Sequence, residues 1–258
     1  VIRWSEPLPH VGLAVIERPE RRNALNAELC DELRARIEAA AGARAVVVTG
    51  EGVAFCAGAD LARRGADTGG GLEHGGGDSF RPAFERLLDA IVAHPAPVVA
   101  AVNGPALGAG MQLAVACDLR VVAPRATLGI PAAKLGVVLS APNIRRLAQV
   151  VGLPVARDLL LTGRAVDVDE ADRIGLVHRR ADDARAAALA LAGELAGLAP
   201  LTVQGHKRAL NLVAAAGPLD AAACAEIAAL EAGAFASDDL QEGIAAFAEK
   251  RAPAFRGQ

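Results

Sequence analysis

Pro97-Val98-Val99-Ala100-Ala101-Val102-Asn103-Gly104-Pro105-Ala106-Leu107-Gly108-Ala109-Gly110 reads as a strand, a turn and the entry to a helix. Residues 97–102 form a short continuous apolar run, the mark of a strand covered on both faces. Asn103-Gly104-Pro105 ends it, and a helix is expected from about Ala109 to Cys117. The arrangement occurs once before. The β-branched run from Arg44 to Thr49 ends at Gly50-Glu51-Gly52, and Ala54-Phe55-Cys56-Ala57-Gly58-Ala59-Asp60-Leu61 follows.

Working outward, His10 to Glu17 reads as a strand. Asn26 is a good N-cap for a helix from Ala27 to Ala41, with Leu29, Leu33 and Ile37 at helical spacing. Ala62 to Ser79 is rich in glycine and reads as a mobile loop. Phe80 to Ala93 is a helix, and Leu119 to Ala123 a strand. Alternating strands and helices imply a mostly parallel sheet with right-handed crossovers. After Pro142 the pattern is helical almost throughout: 143–151, 154–161, 167–173, 181–198, 201–215, 219–234 and 238–249. One short strand is expected at Leu176 to Arg179. The expected division is an α/β core over 1–195 and a helical C-terminal region over 196–258. Its apolar faces would pack on the core or on a neighbouring subunit.

Composition excludes several classes. Hydrophobic residues make up 53% of the 258, and the net charge is −3. A nucleic-acid binder would show a basic face instead. No apolar run is long enough to span a bilayer. Val1-Ile2-Arg3-Trp4 does not start a signal peptide, so a cytoplasmic protein is expected. Cys30, Cys56, Cys117 and Cys224 form no C-x-x-C pair, and the five histidines have no H-x-x-x-H spacing. Zinc and redox motifs are therefore absent. So is the G-x-S-x-G elbow of a hydrolase.

The two small-residue loops place backbone N–H groups at the carboxyl ends of neighbouring strands, where open α/β sheets bind ligands. Helix N-termini direct their positive ends to the same place. Two N–H donors converging on one oxygen would make an oxyanion hole. Each loop taken alone is equally well an ordinary strand-to-helix turn.

Taken together, the chain resembles the crotonase superfamily, the enoyl-CoA hydratase/isomerase family. The resemblance rests on Arg18 to Asn26, Phe55 to Leu61, Asn103 to Gly110, Ala165 to Val177 with its Ile174-Gly175-Leu176-Val177 ending, and Phe247 to Phe255. It implies a crotonase (ClpP/crotonase-like) α/β fold, a ββα spiral with a helical C-terminal trimerisation region. It also implies an acyl-coenzyme A thioester as ligand, with no cofactor besides that coenzyme A. A homotrimer or hexamer is expected, and a lipid-pathway protein partner is left open.

By the same resemblance, Ala59 and Ala109 supply the two oxyanion N–H groups, with Gly108 beside them. Backbone around Ala24, Leu25, Ala57 and Leu61 meets the adenine and pantetheine arm. Arg22 suits a phosphate, although a solvated surface arginine fits as well. Asp60 is expected to cap a helix beginning there. Phe247 and Lys250 are expected to reach a coenzyme A site, of the same or a neighbouring subunit.

The chain departs from the family where typical hydratases carry two glutamates. Those positions are Gln112 and, in Pro131-Ala132-Ala133-Lys134-Leu135-Gly136, Ala132. Gln cannot exchange a proton at neutral pH, and Ala has no group to do so. In this the chain resembles an actinobacterial branch of the family with the segment G-A-G-x-Q-L, whose members lack the glutamates. Ser140 and Glu85 are the remaining acid/base candidates, with His74 and Asp78 in the glycine-rich stretch. For these and for His94, a surface or loop role is the simpler one. Two functions stay open: an acyl-CoA-binding protein without hydratase chemistry, or a CoA-thioester enzyme (hydratase, isomerase or thioesterase) using other groups.

Overall fold

In the computed structural model, residues 1–60, 80–135, 137–215, 221–249 and 251–258 are described. Leu61, the glycine-rich stretch with His74 and Asp78, Lys250 and the side chains of Cys224 and Phe247 lie outside that description.

The chain runs through β1 (Ile2–Leu8), β2 (Val11–Ile16), α1 (Ala27–Ala39), β3 (Ala45–Gly50), α2 (Phe80–Ala93), β4 (Val98–Val102), β5 (Ala106–Leu107) and α3 (Ala109–Ala116). Then come β6 (Leu119–Val122), β7 (Thr127–Gly129), α4 (Ala141–Thr162), β8 (Ala165–Asp167), α5 (Val168–Arg173) and β9 (Arg179–Arg180). Four helices end it: α6 (Ala184–Ala196), α7 (Pro200–Val213), α8 (Ala221–Phe235) and α9 (Asp238–Glu249).

The main sheet has the order β1-β2-β3-β4-β6-β9. Only the β1–β2 pair is antiparallel. Side chains alternate between its faces, as the strand period of two requires. Val46, Val48, Val98, Ala100 and Val102 enter a core with α1, α2 and α3. Val47, Val99 and Ala101 enter a second core, closed by Ala188, Leu191 and Ala192 of α6. With both faces covered, every residue of β3 and β4 is buried.

Four expectations change. β1 is a strand the sequence pattern concealed: Ile2 is buried, but Glu6 and Pro7 interrupt the alternation and the register shifts between Ser5 and Leu8. A second sheet, β5-β7-β8, has strands of only two or three residues, too short for a periodicity. The strand expected at 176–179 lies instead at Arg179–Arg180, paired with Val121 and Val122. Leu176 and Val177 are buried by packing, not by sheet pairing. The two helices expected at 143–151 and 154–161 are the halves of α4, broken at Gly152 (φ 76°, ψ 156°).

Polar ties hold the later helices to the body. Lys207 of α7 is buried and donates to Ile91 O (3.1 Å), Ala96 O (3.0 Å) and Asp118 Oδ2 (2.8 Å). The C-terminal tail returns to α9, where Asp239 accepts from the N–H groups of Arg256 (2.6 Å) and Gly257 (2.8 Å). Among the described residues, no single helix is long and apolar enough to cross a membrane.

Candidate functional site

β3 and β4 pair in register, Val47 opposite Val99, so the loops leaving their carboxyl ends are neighbours. The two loops are joined backbone to backbone. Phe55 N (3.1 Å) and Cys56 N (3.2 Å) both donate to Pro105 O, and Leu107 N donates to Cys56 O (3.0 Å). Asn103 Nδ2 donates to Gly50 O and Gly52 O, each at 2.9 Å. Helix α3 begins against this seam. A Cβ at Gly110 would stand 2.0 Å from Cys56 O, so only glycine permits the approach.

Ala59 sits in a one-residue parallel bridge with Leu25. Leu25 N donates to Gly58 O (2.8 Å), and Asp60 N donates to Leu25 O (2.7 Å). In a parallel pair, a residue flanked by two such bonds turns its own N–H and C=O to the opposite side. The Ala59 N–H accordingly has no acceptor among the described residues. Ala109 is the first residue of α3, where an N–H has no intrahelical partner. It too is unbonded among the described residues. Gly58 (φ 112°), next to Ala59, lies against the start of α3: a Cβ built on it would stand 3.8 Å from Ala109 N. Gly108 caps α3 at φ 55°, ψ −114°. The site thus presents two unused backbone donors, one at the positive end of a helix.

Behind them lies a polar scaffold that the sequence reading missed. Asp60 is buried, its side chain 5% exposed, and pairs with Arg18 Nη2 at 2.7 Å. The helix it was expected to cap lies beyond the described residues. Arg18 Nη1 also donates to Ala24 O (3.2 Å). Asn23 accepts from Arg18 N (3.0 Å) and donates to Glu51 O (2.9 Å) and Ala54 O (2.7 Å). Both lie within the Arg18–Asn26 motif, so the motif was visible and its bonding was not.

The remaining candidates separate by what they touch. Arg22 is exposed, and its guanidinium makes no hydrogen bond or ion pair among the described residues; its C=O accepts from Ala57 N (2.9 Å). Ala24 and Leu25 have their N–H and C=O groups engaged by the protein, leaving only apolar contact to offer. Gln112, half-buried, turns its amide back to Gly108 O (3.3 Å). Ala132 lies on a short 3-10 turn after β7, near the loop through Gly108 N donating to Gly129 O (2.8 Å).

Ser140 precedes α4, but its hydroxyl makes no cap bond and is buried with no partner among the described residues. Glu85 is tied to α4: its Oε1 accepts from Asn143 Nδ2 (3.0 Å), and Asn143 Oδ1 accepts from Arg146 (2.7 Å). His94 lies before β4, at the end of the strand away from the loops. Its ring nitrogens face Ala96 O (3.1 Å) and Ala40 O (3.3 Å). Burial pushes the Cys56 thiol up to about 12, so it stays protonated and is no nucleophile. Among the described residues, no group of three or more His, Cys, Asp and Glu could hold a metal.

This architecture recurs in solved structures. A Magnetospirillum magneticum enoyl-CoA hydratase/carnithine racemase has a TM-score of 0.88 and 31% identity, covering 100% of this chain and 96% of that one. A Bacillus anthracis enoyl-CoA hydratase has a TM-score of 0.88 and 30% identity, covering 100% and 99%. The fold is therefore the crotonase fold. The chain belongs to the enoyl-CoA hydratase/isomerase family, whose profile matches residues 10–258. A Mycobacterium leprae relative named "Probable enoyl-CoA hydratase echA6" is 41% identical over 255 residues, 94% of each chain.

Proposed function

We propose that the protein binds an acyl-coenzyme A thioester, its carbonyl oxygen received by the N–H groups of Ala59 and Ala109, and that it does not hydrate enoyl thioesters efficiently. The observation that carries the reading is the pair of unused donors on two joined loops. Aimed at a developing enolate-like oxyanion, each is worth about 3 kcal/mol. Exposed Arg22, with no described partner, suits a phosphate of the coenzyme.

Hydration needs a group to activate water and another to deliver a proton. The resemblance to the family puts those two groups at Gln112 and Ala132 in this chain. Glu85 does not replace them readily, since Asn143 holds one of its oxygens. The coenzyme A of the ligand is the only cofactor in this reading. We place the protein in the cytosol, in lipid metabolism, as a trimer or hexamer.

The test is titration with acyl-CoAs of graded length beside a crotonyl-CoA absorbance assay. Saturable binding without turnover is expected. A bound structure whose thioester oxygen points away from Ala59 and Ala109 would sink the assignment.

A further inference from the structure

We propose that Gln112 is a positioning residue: its side-chain amide braces the Gly108–Ala109 peptide, so that the Ala109 N–H stays aimed at the thioester oxygen. This rests on the acyl-thioester reading above. Gly108 is gripped at both polar groups. Its N–H donates to Gly129 O (2.8 Å), and its C=O accepts from Gln112 N (3.1 Å) and Gln112 Nε2 (3.3 Å).

The Gly108 C=O and the Ala109 N–H belong to one planar unit. Holding the oxygen therefore fixes the direction of the hydrogen. The hold matters at Gly108, because a glycine, here at φ 55°, ψ −114°, has no Cβ to restrict its backbone. Bonds accepted by a carbonyl also strengthen the donor on the same peptide, by about 10–30% each in condensed-phase estimates. The amide nitrogen must be the atom that faces Gly108, since the amide oxygen would set two acceptors together.

An ionised glutamate at this position could not make the contact. It only accepts, and it would bring negative charge to the Gly108 carbonyl. Position 112 has thus exchanged a proton-transfer group for a donor that stiffens the oxyanion site. The exchange fits a protein that holds a thioester more than it transforms one.

The experiment uses an acyl-CoA labelled with ¹³C at the thioester carbonyl, bound to the full chain and read by difference infrared spectroscopy between pH 5 and 8. Wild type should lower the carbonyl stretch by the same amount throughout, which also carries the contribution of every other titrating group. Gln112→Met should show a smaller shift at every pH and bind about 2- to 10-fold more weakly. Gln112→Glu should match Gln112→Met at pH 8 and move toward wild type as its carboxyl protonates and can donate. A wild-type shift retained in Gln112→Met, or a pH-independent Gln112→Glu, overturns the brace alone. No shift in wild type overturns the thioester reading and the brace with it. Circular dichroism checks folding; if Gln112→Met does not fold, the pH profile of Gln112→Glu decides.

Discussion

Arg18 Nη2 lies 2.7 Å from Asp60 Oδ2, joining the segment before α1 to the loop that presents Ala59. The carboxylate is almost wholly enclosed and the guanidinium only 21% exposed. Removing one partner takes the nearest counter-charge from an enclosed group, and breaking a buried pair typically costs about 3–5 kcal/mol. We expect Arg18→Met and Asp60→Leu each to lower stability by about 3 kcal/mol and to weaken acyl-CoA binding. The double change should be less harmful than the two singles combined, since neither charge is then stranded. Additive losses in denaturant melts would show that the pair is not coupled.

The donor at Ala109 can be removed with little other change. Proline is tolerated at the first position of a helix, where its missing N–H is not needed. Ala109→Pro should fold and lose acyl-CoA affinity. Gly110→Ala tests the seam instead: its methyl would meet the Cys56 carbonyl, displacing α3 and reducing both stability and binding. Unchanged affinity in a folded Ala109→Pro protein would remove Ala109 from the site.

The sequence made some of this legible and not the rest, for physical reasons. β3 and β4 are covered on both faces, so they read as unbroken apolar runs. Both loops were visible because small residues mark close backbone approach, as at Gly110. That the Ala59 N–H is unused was not visible, because it depends on Leu25 taking the other edge of the loop. The Arg18–Asp60 pair and the Asn23 hub are contacts between distant segments, which no local pattern reports. The Ser140 hydroxyl is a candidate in both readings, but only the fold shows it buried and without a partner among the described residues.

The C-terminal tail should be sensitive to acid. Arg251 forms a two-pronged pair with Glu242, and Ala254 N–H adds a bond of 2.7 Å. Together they hold the Glu242 carboxyl at about 2, below the ordinary carboxylate range. A carboxyl depressed in the folded state contributes stability above its unfolded value and loses it as pH falls toward the folded one. The contribution should fade between about pH 4.3 and 2 and shrink with salt, because Arg251 is 41% exposed. Glu242→Gln should flatten this part of the acid-unfolding curve.

Self-association is expected from large apolar side chains left exposed on one chain. Val138 is 81% exposed, Leu161 77%, Leu210 67% and Leu153 57%. Where such side chains form one contiguous patch, a partner ordinarily covers it. Sedimentation should give a trimer or hexamer at micromolar concentration, and a monomer there would contradict the expectation.

Turnover on crotonyl-CoA is the sharpest test of the proposal that the chain lacks the hydratase acid and base. Loss of a positioned proton-transfer group typically removes about 10²–10⁴ of rate. Two such losses need not multiply, because residues that act as a unit are not additive. Wild type should nevertheless fall far below the ~10 per second of an ordinary enzyme. A rate near that value would mean that another group, with Ser140 or Glu85 first in line, performs the proton transfer. The complementary experiment restores both carboxylates. Gln112→Glu with Ala132→Glu should gain measurable hydration, while each single change should gain none. Gln112→Glu alone adds an acid without its counterpart and gives up the contact with Gly108. The gain should be modest, because two carboxylates placed close together repel and raise each other's pKa. It should therefore also vary with pH in a way the wild-type protein does not.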